Sequence, residues 1–206
     1  LLHGIARTSA SLTRLERELQ ASGFATLNID YASRSRPIAA LADDIHPAIV
    51  SFAERDAPLH FVAHSMGGLV ARAYIAKYRP ARLAGIVMLG TPNGGSEVAD
   101  LLSGSRLYRA FYGPAGLELT TVAQPDALPA VDYPVGVIAG SRFIDPVAGL
   151  FVLPKPNDGR VSVQSAMLAG MAYHIVVKAS HTGLPRHAAA IAQTIAFLRE
   201  GRFQSG

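Results

Sequence analysis

The chain of 206 residues contains no cysteine. Disulfides, thiolate metal sites and a cysteine nucleophile are therefore excluded. It also lacks any apolar run long enough to cross a bilayer, since stretches such as Ile86 to Leu89 are only of strand length. The first residues carry no cleavable signal pattern. Charge is sparse, at 17% of residues against 50% hydrophobic, a balance that excludes disorder. The net charge of +4 does not build a nucleic-acid surface, because the arginines are scattered from Arg7 to Arg186 without runs or interleaved aromatics. Gly67-Gly68 and Gly94-Gly95 lack the lysine of a phosphate-binding loop, and no dinucleotide fingerprint follows a strand. Nothing resembles a metal cluster. No repeat, low-complexity tract or linker divides the chain, which reads as a single domain over 1–206.

What is present is an alternation of short apolar runs with helix-period segments. Leu12, Leu15 and Leu19 share a helical face, with Thr8 or Ser9 as candidate caps and Gly23 as a stop. A strand is expected over Phe24 to Ile29. Pro37 opens a second helix with apolar face Ile38, Leu41, Ile45, Ile49 and Phe52, and Pro47 should bend or interrupt it. Leu59 to Ala63 reads as a buried strand, Met66 to Tyr78 as a helix, and Leu83 to Leu89 and Val135 to Ala139 as further strands. A last strand is expected from Ala172 to Lys178, before a closing helix carrying Ile191, Ile195 and Leu198. Strands apolar on both faces, alternating with helices, predict an α/β fold. About six mostly parallel strands would be covered on two sides. The segment 92–132 breaks the rhythm, with helical fragments separated by Gly104, Gly113, Pro114 and Gly116. It reads equally as a cap over a site or as an ordinary helical connection.

The informative segment is Leu59-His60-Phe61-Val62-Ala63-His64-Ser65-Met66-Gly67-Gly68-Leu69. It places Ser65 on a sharp turn from a buried strand into a helix. The residues two before and two after must be small because the turn brings their backbones together; here they are Ala63 and Gly67. Such a turn exposes the hydroxyl above a helix N-terminus, where positive partial charge favours an oxyanion. A serine still needs a base oriented by a third group. Among the seven histidines only His181 lies in a loop between the last strand and the last helix; His174 falls in a strand and His187 within the last helix. Asp158, in Asn157-Asp158-Gly159, is the favoured acid. Asp145, after the Val135 to Gly140 strand, is the rival.

The Ala-His-Ser-Met-Gly segment in this strand-turn-helix setting resembles the nucleophile elbow of the α/β-hydrolases, in the compact bacterial lipase and esterase branch. Alanine at the first small position is the form of the minimal bacterial lipases. The resemblance implies the chain order Ser65, Asp158, His181, and Asn-Asp-Gly-x-Val-Ser resembles the acid-bearing segment of larger bacterial lipases. It also implies an oxyanion hole from the Met66 amide and, through the early His3-Gly4 pair, the Ile5 amide; His3 itself is read as structural. The expected activity is carboxylic ester hydrolysis on a small-molecule ester or lipid, without cofactor or metal. Thr182-Gly183-Leu184-Pro185 offers no Asp for the calcium of calcium-dependent lipases. An acyltransferase or thioesterase using the same residues is the alternative. Tyr108, Phe111 and Tyr112, with Leu101 and Leu107, are candidates for an acyl pocket or for core packing.

Overall fold

The period-two pattern of the apolar runs decides how the layers assemble. In the computed structural model, which describes residues 1–54, 56–121, 128–143 and 153–204, helix α1 (Thr13–Ala21) follows a 3-10 turn. It is succeeded by α2 (Ile38–Ala53), β1 (Leu59–His64), α3 (Met66–Tyr78), β2 (Leu83–Leu89), α4 (Glu97–Leu102) and α5 (Arg106–Leu117). Then come β3 (Val135–Gly140), α6 (Val163–Ala166), β4 (Tyr173–Val177) and α7 (Ala188–Glu200). The strands lie in the order β1-β2-β3-β4, each parallel to its neighbour. Phe61, Ala63, Ile86, Met88, Val135 and Val137 point to one face, where α2 and α3 cover them. The alternate residues Val62, Val87, Leu89 and Ile138 meet Leu15 and Leu19 of α1 and Ile191 and Phe197 of α7 on the other. Because side chains alternate along a strand, runs apolar at every position can only be buried by helices on both sides.

Three expectations change on contact with the fold. The six strands become four among the described residues, plus single bridges at Leu2 to Ile29 and Leu2 to Ala63. Phe24 to Asn28 form no ladder, and extended backbone counts as a strand only through repeated pairing. Pro47 does not interrupt α2, whose buried face from Ile38 to Ile49 holds it against the core on both sides of the missing N–H. His187 is the residue before α7, with an extended ψ of 124°, rather than a member of it. Within α5 the helix geometry does break at Gly113 (φ 61°), as its glycines and proline predict. The Tyr108 hydroxyl bridges that break by donating to the Gly116 carbonyl at 3.1 Å.

Candidate active site

Ser65 stands between the end of β1 and the start of α3 with φ 56° and ψ −131°. For a residue with a Cβ this is a strained backbone, worth roughly 1–3 kcal/mol, and the surroundings hold it there. The Ser65 N–H donates to the Leu89 carbonyl at 2.9 Å, tying the turn to β2, and the Gly68 N–H returns to the Ser65 carbonyl at 3.0 Å. A Cβ on Gly67 would lie 2.4 Å from the Leu2 carbonyl oxygen and 2.6 Å from that of His3. Glycine is thus demanded two residues after the serine by the first residues of the chain, as the spacing predicts.

The loop after β4 delivers His181 to the same point. Its Nε2 is 2.9 Å from Ser65 Oγ, and its Nδ1 is 2.8 Å from Asp158 Oδ2. A neutral imidazole that donates from Nδ1 and accepts at Nε2 satisfies both bonds. Asp158 is turned toward it by its own Asn-Asp-Gly turn: Oδ1 accepts the Arg160 and Val161 N–H groups at 2.9 Å each, and Asn157 Oδ1 accepts from Gly159. Burial by itself would raise the Asp158 pKa. The charge of His181, its hydrogen bond and the Val161 and Arg160 amides outweigh that and leave the carboxyl below its ordinary value. Asp158 is therefore a buried carboxylate, fully paired. The main chain adds a further tie, His181 N–H to the Asp158 carbonyl at 3.0 Å. The rival acid Asp145 lies outside the described residues.

A cavity of about 170 Å³ opens on this cluster, lined by Ile5, Ser65 and His181 together with α4, α5 and Arg160. Met66 and Ile5 are both buried beside Ser65. The Met66 N–H opens α3 and has no intrahelical acceptor. The Ile5 N–H, in the turn closed by Arg7 N–H to Gly4 carbonyl at 3.3 Å, has no acceptor among the described residues. His3 has the structural setting expected of it. It is buried, stacked on Tyr31 at 4.1 Å, and hydrogen-bonded to Gly4 O, while its carbonyl accepts from the Tyr31 hydroxyl. Of the proposed acyl-pocket residues, Tyr108 and Tyr112 line the cavity, whereas Leu101, Leu107 and Phe111 point to solvent and Val98 and Leu102 take their place. A helix one turn longer or rotated would exchange these sets, and periodicity alone does not fix the rotation. A larger cavity of about 530 Å³ lies at the opposite end of β1, among Leu2, Phe24, Leu59 and Phe61, and touches none of the three polar side chains.

Two contributors have a role that the motifs do not assign. Gly90, just past β2 with φ 57°, sits under the His181–Asp158 pair: a Cβ there would be 3.1 Å from Asp158 Oδ2 and 3.3 Å from His181 Nδ1. His64, fully buried, places its Nε2 2.9 Å from the His181 carbonyl oxygen. Burial, then the neighbouring His181, push the His64 pKa down to about 3, so it stays neutral and donates from Nε2. A glycine after a strand and a histidine before the serine were the available signals. Among the described residues no group of three or more His, Asp or Glu side chains is arranged to hold a metal ion.

A family model described as the alpha/beta hydrolase fold matches residues 1–115, more than half of the chain. The chain belongs to that family. Solved structures share the architecture of this α/β-hydrolase across nearly its whole length. The mature Bacillus licheniformis lipase BlEst2 superposes with a TM-score of 0.77 at 19% identity, covering 98% of this chain and 90% of that one. In the propeptide form of that lipase, this chain spans 50% of the length. The metagenomic carboxyl esterase MGS0156 gives 0.70 at 22% identity, covering 87% and 63%. The type II thioesterase BorB from the borrelidin biosynthetic cluster gives 0.59 at 17% identity, covering 95% and 87%. At these identities the likeness is one of fold.

Proposed function

We propose that this α/β-hydrolase is a serine esterase or lipase that hydrolyses carboxylic esters through Ser65, His181 and Asp158. The observation that carries the reading is the unbroken relay from Ser65 Oγ to His181 Nε2 and from His181 Nδ1 to Asp158 Oδ2, at 2.9 and 2.8 Å. Ser65 Oγ attacks the ester carbonyl as its proton passes to His181 Nε2. The resulting imidazolium is stabilised by the Asp158 carboxylate, which holds the required tautomer. The oxyanion faces the Met66 and Ile5 N–H groups, each such donor being worth about 10²–10³ in rate. Protonation of the leaving alkoxide by His181 releases the alcohol and leaves an acyl-enzyme. Water, deprotonated by His181, then attacks the acyl carbon, and Ser65 departs as the hydroxyl with the carboxylic acid as product. The cavity walled by Val98, Leu102, Tyr108 and Tyr112 is the acyl site of this reading.

The test is a p-nitrophenyl ester series from acetate to palmitate, run beside fluorophosphonate labelling. Ser65→Ala should abolish both turnover and labelling; retained labelling would assign the nucleophile elsewhere. Thioester and alcohol acceptors in the same assay separate hydrolysis of oxygen esters from thioesterase or acyl-transfer chemistry, which the same relay would support. A short-chain optimum fits the 170 Å³ cavity and identifies an esterase, a long-chain optimum a lipase.

A further inference from the structure

α4 and α5 divide their side chains between two environments. Tyr108 and Tyr112, one turn apart on α5, line the cavity over Ser65. Leu107 and Phe111, also one turn apart but on another face, are 83% and 52% exposed, and Leu101 of α4 is 61% exposed. Large aliphatic and aromatic side chains gathered in the open on the wall of a site are the usual mark of an apolar contact surface.

Exposed cations outnumber exposed carboxylates around them. Of the carboxylates in 97–121 only Asp100 is exposed: Glu97 accepts from the Ser162 and Ser165 hydroxyls at 3.3 and 2.7 Å, and Asp100 from the Thr121 N–H and hydroxyl at 2.8 Å each. Glu118 accepts from the Ile38 N–H at 3.0 Å. The cations remain outside: Arg106 and Arg109 are exposed on α5, and the Arg34 guanidinium stands 5.2 Å from the centre of the Phe111 ring. Outward arginines beside exposed leucine and phenylalanine complement a surface that is apolar beneath and negative above.

We propose that Leu101, Leu107 and Phe111, flanked by Arg34 and Arg106, form a docking surface for an anionic phospholipid layer, which brings the mouth of the Ser65 cavity to the lipid. The use of this surface rests on the ester-hydrolase reading; the binding does not. Ser65→Ala protein, which cannot turn over lipid, is sedimented with vesicles of phosphatidylcholine alone or mixed with phosphatidylglycerol. It should partition onto the mixed vesicles, less so at high salt. Leu107→Asp should weaken that partition by about tenfold or more, and Arg34→Gln and Arg106→Gln by about fivefold each. In the Ser65-containing protein, Leu107→Asp should hydrolyse p-nitrophenyl acetate at the parent rate, which also reports folding. Equal vesicle binding by Leu107→Asp and its parent overturns the proposal. So does absence of binding to either vesicle, or a lipid-free dimer that Leu107→Asp dissociates, since the face would then belong to a second copy. An inactive parent with intact vesicle binding would sink only the ester-hydrolase reading.

Discussion

Asp158 shows how one side chain's role depends on each of its oxygens. Oδ1 is held by two backbone amides and Oδ2 by His181, so an asparagine keeps the Oδ1 bonds and presents an amide to His181 Nδ1. That amide donates where the carboxylate accepted, and the imidazole turns to the tautomer with its proton at Nε2, which cannot accept from Ser65. Asp158→Asn should therefore lower kcat by about 10⁴ with KM little changed, read from steady-state kinetics on a soluble ester. A drop of less than tenfold would assign the orienting acid to another residue.

At the level of elements, the turn between β1 and α3 depends on its neighbours as much as on its own residues. A side chain at Gly67 would meet the Leu2 and His3 main-chain carbonyls, and neither has a flexible end that can yield. Gly67→Ala should destabilise by about 1–3 kcal/mol, a fall in Tm of about 3–10 °C by calorimetry. It should also cut kcat, because the displaced segment carries Ile5. Gly104→Ala, with nothing within 4 Å of its Cβ, is the control and should leave both unchanged. The Gly67 requirement is legible in the sequence as a small residue at the right spacing. The Gly90 requirement is not, because the side chains it accommodates come from Asp158 and His181, far along the chain.

For the whole molecule, buried histidine links stability to pH. His64 titrates near 6.5 when unfolded but only near 3 when folded, chiefly through burial. Between those values the unfolded chain binds the extra proton. Its contribution to stability is therefore complete above pH 6.5 and is lost as pH falls toward 3, with a slope of up to about 1.4 kcal/mol per pH unit. His3, also depressed by burial, acts in the same direction. Asp158, held below 3.8, loses its contribution only in stronger acid. Tm should fall as pH drops below 6.5, and His64→Gln should have a shallower acid limb. An unchanged limb in that variant would show that His64 is not the linked group.

Much of this was readable before folding because it depends on short-range physics. The runs at β1, β2 and β3, the helix at Met66–Tyr78 and the turn at Ser65 follow from patterning over a few residues, which the backbone obeys wherever it sits. The loop position of His181 followed from element order. Other features belong to the tertiary structure. Whether Phe24 to Ile29 pairs as a strand depends on what lies beside it, and which faces of α4 and α5 turn inward depends on packing. So does the bond from His64 to the His181 carbonyl. These are contacts between distant parts of the chain, and their geometry exists only once the sheet has brought them together.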